Sequence, residues 1–394
     1  MSGARIEVEP GADVFREGDA PTTAFLIESG EVEIITGPAA DPLALGRLGP
    51  GDLLGEMAVI DAAARTATAR AITRCVLLPI AREQIHERID AADPIVRALL
   101  NGQLQRYRSA LNRFNAAASP VGLLRELPPA LRRVGDGAAM DKIRLESQLR
   151  DALTHGGLEV RYQPILDLRD DHIAGYEALI RWEHPQRGPV SPTEFIRLAE
   201  ETSLIIPVGH YVFDAVCGAL ARLQRAGVDP LPFIAVNVSG RQLAEEDVLA
   251  TLQAAAANAG APASVVKIEV TESLTLDIEG VSALIARAHA VGVKVALDDF
   301  GTGFSNLGHL HKLHFDTVKL DQGFVRQMLK APRCHAIVQA ITAMVSALDA
   351  DMVAEGVETR EQLEALRAIG CRYAQGWLIG KAMGVDELLT GTPA

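Results

Sequence analysis

Residues Lys294–Gly303 read KVALDDFGTG, and Thr317–Asp321 read TVKLD. Each is a short apolar run ending on charged side chains, as in a strand buried on both faces with chemistry at its C-terminal end. Working outward, similar runs return at Val160–Leu166, Gly175–Trp182, Phe233–Ser239, Val266–Thr271, Met352–Glu355 and Tyr373–Ile379, with amphipathic helices between them. Eight such strands in about 250 residues predict a C-terminal (β/α)8 TIM-like barrel.

The ends of these strands carry Glu177, Asn237, Glu269, Glu272, Asp298, Asp299, Lys319, Asp321, Glu355, Glu358 and Gln375. In a barrel of this kind the C-terminal rim is where such residues meet. One acid at a strand end is ordinarily a cap or an ion-pair partner. So many carboxylates on one rim repel each other unless cations neutralise them. Hard oxygen donors point to Mg2+ or Mn2+ and not to zinc. The adjacent pair Asp298-Asp299 suits a two-metal site with one bridging carboxylate, and phosphoryl chemistry is the default inference.

Residues 1–80 have a different rhythm. Short runs at Ala24–Ile27, Glu31–Ile35 and Cys75–Ile80 are separated by turn signals at Gly11, Gly18, Gly30 and Gly49-Pro50-Gly51. They predict an N-terminal all-β jelly roll with flanking helices. From about Ala81 the period becomes helical, and Val96, Leu100, Leu104, Tyr107, Leu111 and Phe114 form a narrow stripe flanked by Arg97, Arg106, Arg108 and Arg113. The stripe reads as a dimer seam slightly ahead of a helix packed on its own barrel. Prolines and glycines then crowd residues 116–139. The expected division is 1–118, a linker at 119–139, and 140–394.

The 394 residues carry a formal charge of −13, and 48% hydrophobic content excludes a disordered chain. No basic surface fit to grip a nucleic-acid backbone is implied. In the acidic second half, an anionic ligand needs metal ions or a local arginine. The four cysteines stand singly, without metal spacing, and read as reduced and intracellular. The start MSGARIEVEP lacks the layout of a signal peptide. The longest apolar stretch, Ala336–Leu348, contains Gln339, Thr342 and Ser346 and reads as a buried helix instead of a membrane span. A cytoplasmic protein without membrane attachment is expected.

Residues 140–394 resemble the EAL domain family, phosphodiesterases that hydrolyse cyclic di-GMP. The likeness rests on Glu177-Ala178-Leu179 and on YQPI, NVS, EVTES, DDFGTGFSNL, FDTVKLD, AEGVET and QGW in that order. The resemblance implies that Glu177, Asn237, Glu269 and Asp298 hold a first metal ion. It gives Asp298, Asp299 and Glu355 to a second, and Lys319 to the attacking water. It gives Gln163, Leu179, Arg181 and Gln375 to the substrate, with Arg181 on a phosphate. Glu272 would anchor the loop at 299–307, which in this family couples a homodimer to metal binding. Phe304, Asn306 and the lack of proline after Lys381 depart mildly from the pattern. His309, His311 and His314 read as a solvated face, Asp321 and Glu358 as groups orienting Lys319 and the loop, and Tyr373 and Trp377 as barrel packing.

Residues 51–69, GDLLGEMAVIDAAARTATA, resemble the phosphate cassette of cyclic-nucleotide-binding domains, as do FREGD and AFLIESG upstream. The resemblance implies a pocket built from Gly55, Glu56, Met57, Ala58, Arg65, Thr66 and Ala67. Arg65 would pair with the cyclic phosphate and Glu56 with the ribose 2′-OH. The regulatory ligand is cAMP or cGMP, cAMP being favoured. The joint expectation is a cyclic di-GMP phosphodiesterase that yields linear pGpG under cyclic-nucleotide control. Two alternatives stay open: a catalytically silent cyclic di-GMP receptor acting through protein contact, and a first domain that only dimerises the second.

Overall fold

The computed structural model describes residues 5–37, 43–90, 100, 102–104, 106, 137–301 and 312–390. These group into two compact units, Met1–Gly156 with Arg197–Ser203, and Gly157–Ile196 with Leu204–Ala394. Of the expected stripe, Val96, Tyr107, Leu111 and Phe114 lie outside the described residues, as do Phe304, Asn306, His309 and His311. Most of the 119–139 segment does too.

The first unit is built from β1 (Ile6–Val8), β2 (Asp13–Phe15), β3 (Thr23–Ser29), β4 (Val32–Thr36), β5 (Leu43–Leu48), β6 (Leu53–Leu54), β7 (Thr68–Ala71) and β8 (Cys75–Ala81). They form two antiparallel four-stranded sheets, β1-β8-β3-β6 and β2-β7-β4-β5, as a jelly roll requires. Ile27, Val32, Leu54, Ala69 and Leu77 fill the space between them. Gly30, at φ +91°, allows the β3–β4 turn; a Cβ there would lie 2.5 Å from the Arg74 carbonyl oxygen. A second cluster, Ala24, Leu26, Val59, Leu78 and Ile80, also receives Ile143 of the helix Gly137–His155.

In the second unit, β9 (Leu158–Asp167), β10 (His172–His184), β12 (Phe233–Asn237), β13 (Val266–Thr271), β14 (Lys294–Phe300), β15 (Thr317–Leu320), β16 (Asp351–Ala354) and β17 (Tyr373–Gln375) close a barrel. β11 (Gly188–Val190) extends it beside β10. All eight expected strands are present, and β10 and β12 to β17 pair in parallel. One direction differs from a plain (β/α)8 barrel: β9 runs antiparallel to both β10 and β17. The few residues between Asp167 and His172 allow a hairpin, whereas a parallel return needs a dozen or more. β17 also ends earlier than expected, at Gln375, because the Gly376 backbone is pressed against Val357, whose carbonyl oxygen would lie 2.2 Å from an added Cβ.

Val266, Ile268 and Val270 of β13 pack outward with Val216, Leu220 and Leu252 of the surrounding helices. The alternate residues Lys267 and Glu269 point into the barrel. Among the described residues no helix is long and apolar enough to cross a membrane. Cys75, Cys217, Cys334 and Cys371 are free thiols.

Candidate functional site

Strand register brings the sequence candidates to one rim. Glu177 on β10 faces Gln163 on β9, Asn237 ends β12 beside Glu269, and Asp298 on β14 neighbours Thr271. Lys319 projects from β15 into their midst and is 1% exposed. Its Nζ lies 2.8 Å from Glu355, 2.9 Å from Glu269, 3.0 Å from Asp298 and 3.4 Å from Glu177. The amides complete the cluster: Gln375 Nε2 donates to Glu177 Oε2 at 2.6 Å and to Gln163 Oε1 at 3.3 Å, and Asn237 Nδ2 donates to Glu177 Oε1 at 2.9 Å.

Charge states follow from this enclosure. Burial disfavours the Lys319 ammonium, but four carboxylates outweigh it and hold the lysine protonated well above its ordinary range. Burial opposes ionisation of Glu177 as well, yet Lys319, Gln375 and Asn237 together keep its carboxyl below the usual value. Glu269 is raised well above the carboxylate range by burial, with Lys319 opposing and Glu177 and Asp298 adding repulsion. Burial pushes Glu355 up to about 7 against the pull of Lys319. Asp299 is raised by burial and by Asp298 beside it.

Adjacent residues of a regular strand point to opposite faces, so Asp298 and Asp299 should not both reach one cavity. They do so because the β14–β15 register slips between Leu297 and Phe300 and Asp299 adopts φ +56°. A left-handed non-glycine residue is strained, and such strain concentrates at functional sites. Carboxylate oxygens of Glu177, Glu269 and Asp298 lie within 4.8 Å of one another, as do those of Asp298, Asp299 and Glu355. Asp298 is common to both sets. Two all-oxygen donor sets with a shared carboxylate fit a pair of hard divalent cations.

A cavity of about 330 Å³ opens over this cluster. Gln163, Leu179 and Gln375 line it; Arg181 is not among its lining residues and donates through Nη1 to the Ile180 carbonyl at 2.9 Å. Glu272 Oε2 accepts from the Gly301 amide at 3.0 Å, at the start of the loop it was expected to hold. Asp321 and Glu358 do other work than orienting Lys319. Asp321 caps the helix Gln322–Met328 by accepting from the Gly323 amide at 2.8 Å, and Glu358 accepts from Arg326 at 3.1 Å. Tyr373 packs inside the barrel as expected, 6% exposed and edge-on to Phe233. Trp377 is not barrel packing: it is 71% exposed and lines the cavity, because the sharp turn at Gly376 throws it outward.

In the first unit the cassette residues also assemble. Gly55, at φ +75°, leads into the short helix Glu56–Ile60, which contains Met57 and the buried Ala58. Arg65 is 5% exposed, although a surface arginine would be the bland expectation. Its guanidinium lies 4.2 Å from the Phe15 ring centre and donates to the Gly55 carbonyl at 2.5 Å and to the Thr23 carbonyl. A Cβ at Gly55 would sit 2.4 Å from Arg65 Nη1, so only glycine fits beneath that guanidinium. Arg65 Nε is buried with no hydrogen-bond partner, an unmet donor of the sort an anion satisfies. Burial raises the Glu56 carboxyl, with Arg65 pulling the other way. Thr66 and Ala67 follow Arg65 and lead into β7.

Residues 146–382 match the EAL domain family, and residues 5–91 match the cyclic nucleotide-binding domain family. The chain belongs to the EAL domain family. This EAL domain and its partner module together resemble the EAL enzyme Bd1971 in its cAMP- and cyclic-di-GMP-bound form. That match has 31% identity and a TM-score of 0.64, covering 98% of this chain and 99% of that one. Cyclic di-GMP phosphodiesterase PA2567 of Pseudomonas aeruginosa is 36% identical over 270 residues, 68% of this chain and 45% of that protein. The bifunctional diguanylate cyclase/cyclic di-GMP phosphodiesterase MucR of the same organism is 37% identical over 252 residues, 64% of this chain and 37% of that protein. The chain thus spans less than half the length of these two curated relatives.

Sequence reasoning about the EAL domain did not single out Arg326, which lines the cavity beside Glu358. It lies inside the helix after Lys319, where an arginine looks like any solvated helix residue. Its position one turn beyond the strand's catalytic-side end was the available signal.

Proposed function

We propose that the chain hydrolyses cyclic di-GMP to linear pGpG, with divalent cations at the barrel rim and cyclic-nucleotide binding in the first module as its control. The observation that carries this reading is the pair of carboxylate sets sharing Asp298 around Lys319. Glu177, Asn237, Glu269 and Asp298 would hold one ion, and Asp298, Asp299 and Glu355 the other. Bound there, two Mg2+ or Mn2+ ions supply Lewis-acid stabilisation of charge on the attacking and leaving oxygens.

The chain's own groups do the rest. Lys319 donates to the attacking water and Glu355, 2.8 Å from that ammonium, accepts its proton. Water oxygen bonds to phosphorus, the P–O3′ bond breaks, and the 3′-oxygen leaves as a hydroxyl after taking a proton from solvent. Gln163, Leu179 and Gln375 line the cavity and orient the substrate, Arg181 would reach a phosphate only by turning from the Ile180 carbonyl, and Glu272 fixes the start of the loop after Asp299 through the Gly301 amide. We assign residues 1–118 to the sensing module, 119–139 to the linker and 140–394 to the catalytic module.

In the sensing module the buried, unpartnered Nε of Arg65 supports binding of a cyclic phosphate, with Glu56 on the ribose. Thr66 beside it is compatible with cAMP, the ligand we favour over cGMP. Chromatography of cyclic di-GMP after incubation with Mg2+ or Mn2+ tests the main reading: pGpG should accumulate, and EDTA should stop it. Intact substrate with either metal would sink it. Calorimetric titration with cAMP and cGMP tests the input.

A further inference from the structure

The second unit is acidic, and the cavity makes that acidity local. Glu177, Asp298, Asp299, Glu355 and Glu358 all line it. A cyclic dinucleotide brings two phosphodiester anions to this surface, and like charges repel. Lys319 does not offset that for an incoming ligand, because its side chain is 2% exposed and four carboxylates already share its ammonium. Arg326 differs. It projects from the helix Gln322–Met328 to the cavity wall, its side chain is 52% exposed, and among the described residues its guanidinium donates through Nη2 to Glu358 at 3.1 Å. A guanidinium has five N–H donors in a rigid fork, so one bond fixes its orientation and leaves several donors for a ligand.

We propose that Arg326, oriented by Glu358, is a specificity-determining contact that binds the phosphodiester of the substrate that is not cut. The inference rests on the reading of this site as a cyclic dinucleotide phosphodiesterase. The phosphorus under attack must sit over Asp298 and Lys319 in the buried floor. The ring of a cyclic dinucleotide then carries its second phosphate away from that floor, toward the exposed wall where Arg326 stands. A linear or mononucleotide diester lacks this second anion at that spacing, so the contact favours the cyclic dinucleotide over smaller diesters.

The test is steady-state kinetics of the full chain with cyclic di-GMP, together with the inhibition constant of cyclic di-AMP, which has the same phosphates and different bases. Arg326→Ala should raise KM about 10- to 30-fold, the loss of a charge-assisted hydrogen bond, while kcat stays within about threefold. Arg326→Lys should recover part of the loss, because it keeps the charge without the fork. The cyclic di-AMP inhibition constant should rise by the same factor as KM. An unchanged KM, or a fall in kcat alone, overturns the proposal. A loss confined to cyclic di-GMP also overturns it, since the arginine would then read guanine. Wild-type protein without turnover would instead defeat the catalytic reading. The calorimetric Kd ratio of wild type to Arg326→Ala for cyclic di-GMP would still decide on the arginine.

Discussion

Lys319 and the carboxylates around it hold each other in place chiefly by charge, with the Gln375 and Asn237 amides bonded to Glu177. Removing one partner from a buried ionic cluster leaves the others uncompensated, at a cost of about 3–5 kcal/mol. Lys319→Met should therefore lower the thermal midpoint sharply in EDTA. If the two donor sets take divalent cations, Mn2+ should restore much of the lost midpoint without restoring turnover. A midpoint indifferent to Mn2+ would speak against both donor sets. Asp298→Asn removes charge from the one carboxylate common to both sets. It should cut hydrolysis by at least about a thousandfold, roughly 4 kcal/mol of barrier, while the barrel stays folded. Turnover within tenfold of wild type would refute a shared ligand. The identities of these residues were legible in the sequence because most interrupt an apolar run in, or just past, the C-terminal half of a strand. Their common orientation was not, since Asp299 reaches the cavity only through a bulge and a strained φ of +56°.

At the scale of elements, the parallel strands declared themselves as short runs rich in apolar residues, because helices and barrel interior bury both faces of each. The direction of β9 was hidden: apolar content says nothing of sense, and only the short LRDD connection before β10 carries the information. Lys267 was hidden for a related reason. On β13 it looks like a strand-edge lysine, but alternation turns it into the barrel, 6% exposed, with Nζ 3.6 Å from the Phe233 ring centre and 3.3 Å from Thr317 Oγ1. Burial pulls its pKa down to about 8, aided by Lys294. An unfolded lysine keeps its proton to about 10.4, so between these values the unfolded chain binds more protons and stability rises with pH. Below about pH 8 the charged ammonium costs the fold its full penalty, about 1–3 kcal/mol after the aromatic faces return a part. Lys267→Met should raise the thermal midpoint at pH 7 and flatten the stability profile between pH 8 and 10. A variant less stable than wild type at pH 7 would mean that the cation–π contacts win.

Over the whole molecule, the question is whether nucleotide in the first module alters chemistry in the barrel. The helix Gly137–His155 is the described element best suited to carry such a signal. It is packed in the first unit through Ile143 and through Glu146, which is 1% exposed and accepts from Arg88 Nε at 3.1 Å and from Gln84 Nε2 at 3.1 Å. Arg88 and Gln84 belong to the helix Arg82–Asp90, directly after β8 of the nucleotide module. At its other end the same helix runs through Gly156 and Gly157 into β9, the strand that carries Gln163. A buried carboxylate with both oxygens bonded has discrete arrangements instead of a continuum, which is what a switch needs. If ligand binding around Arg65 shifts the helix Arg82–Asp90, Glu146 must follow or lose its partners. Coupling between sites is typically about 1–3 kcal/mol, a change in turnover of roughly 5- to 150-fold on saturation with cAMP or cGMP. Glu146→Ala cuts the clamp without touching the cassette. It should leave nucleotide affinity within about threefold and shrink the turnover response toward unity. Arg88 is 31% exposed and can turn to water, so the fold should survive that change. Turnover that ignores saturating nucleotide in wild type would dismiss the coupling. A response undiminished in Glu146→Ala would keep the coupling and take it away from this helix.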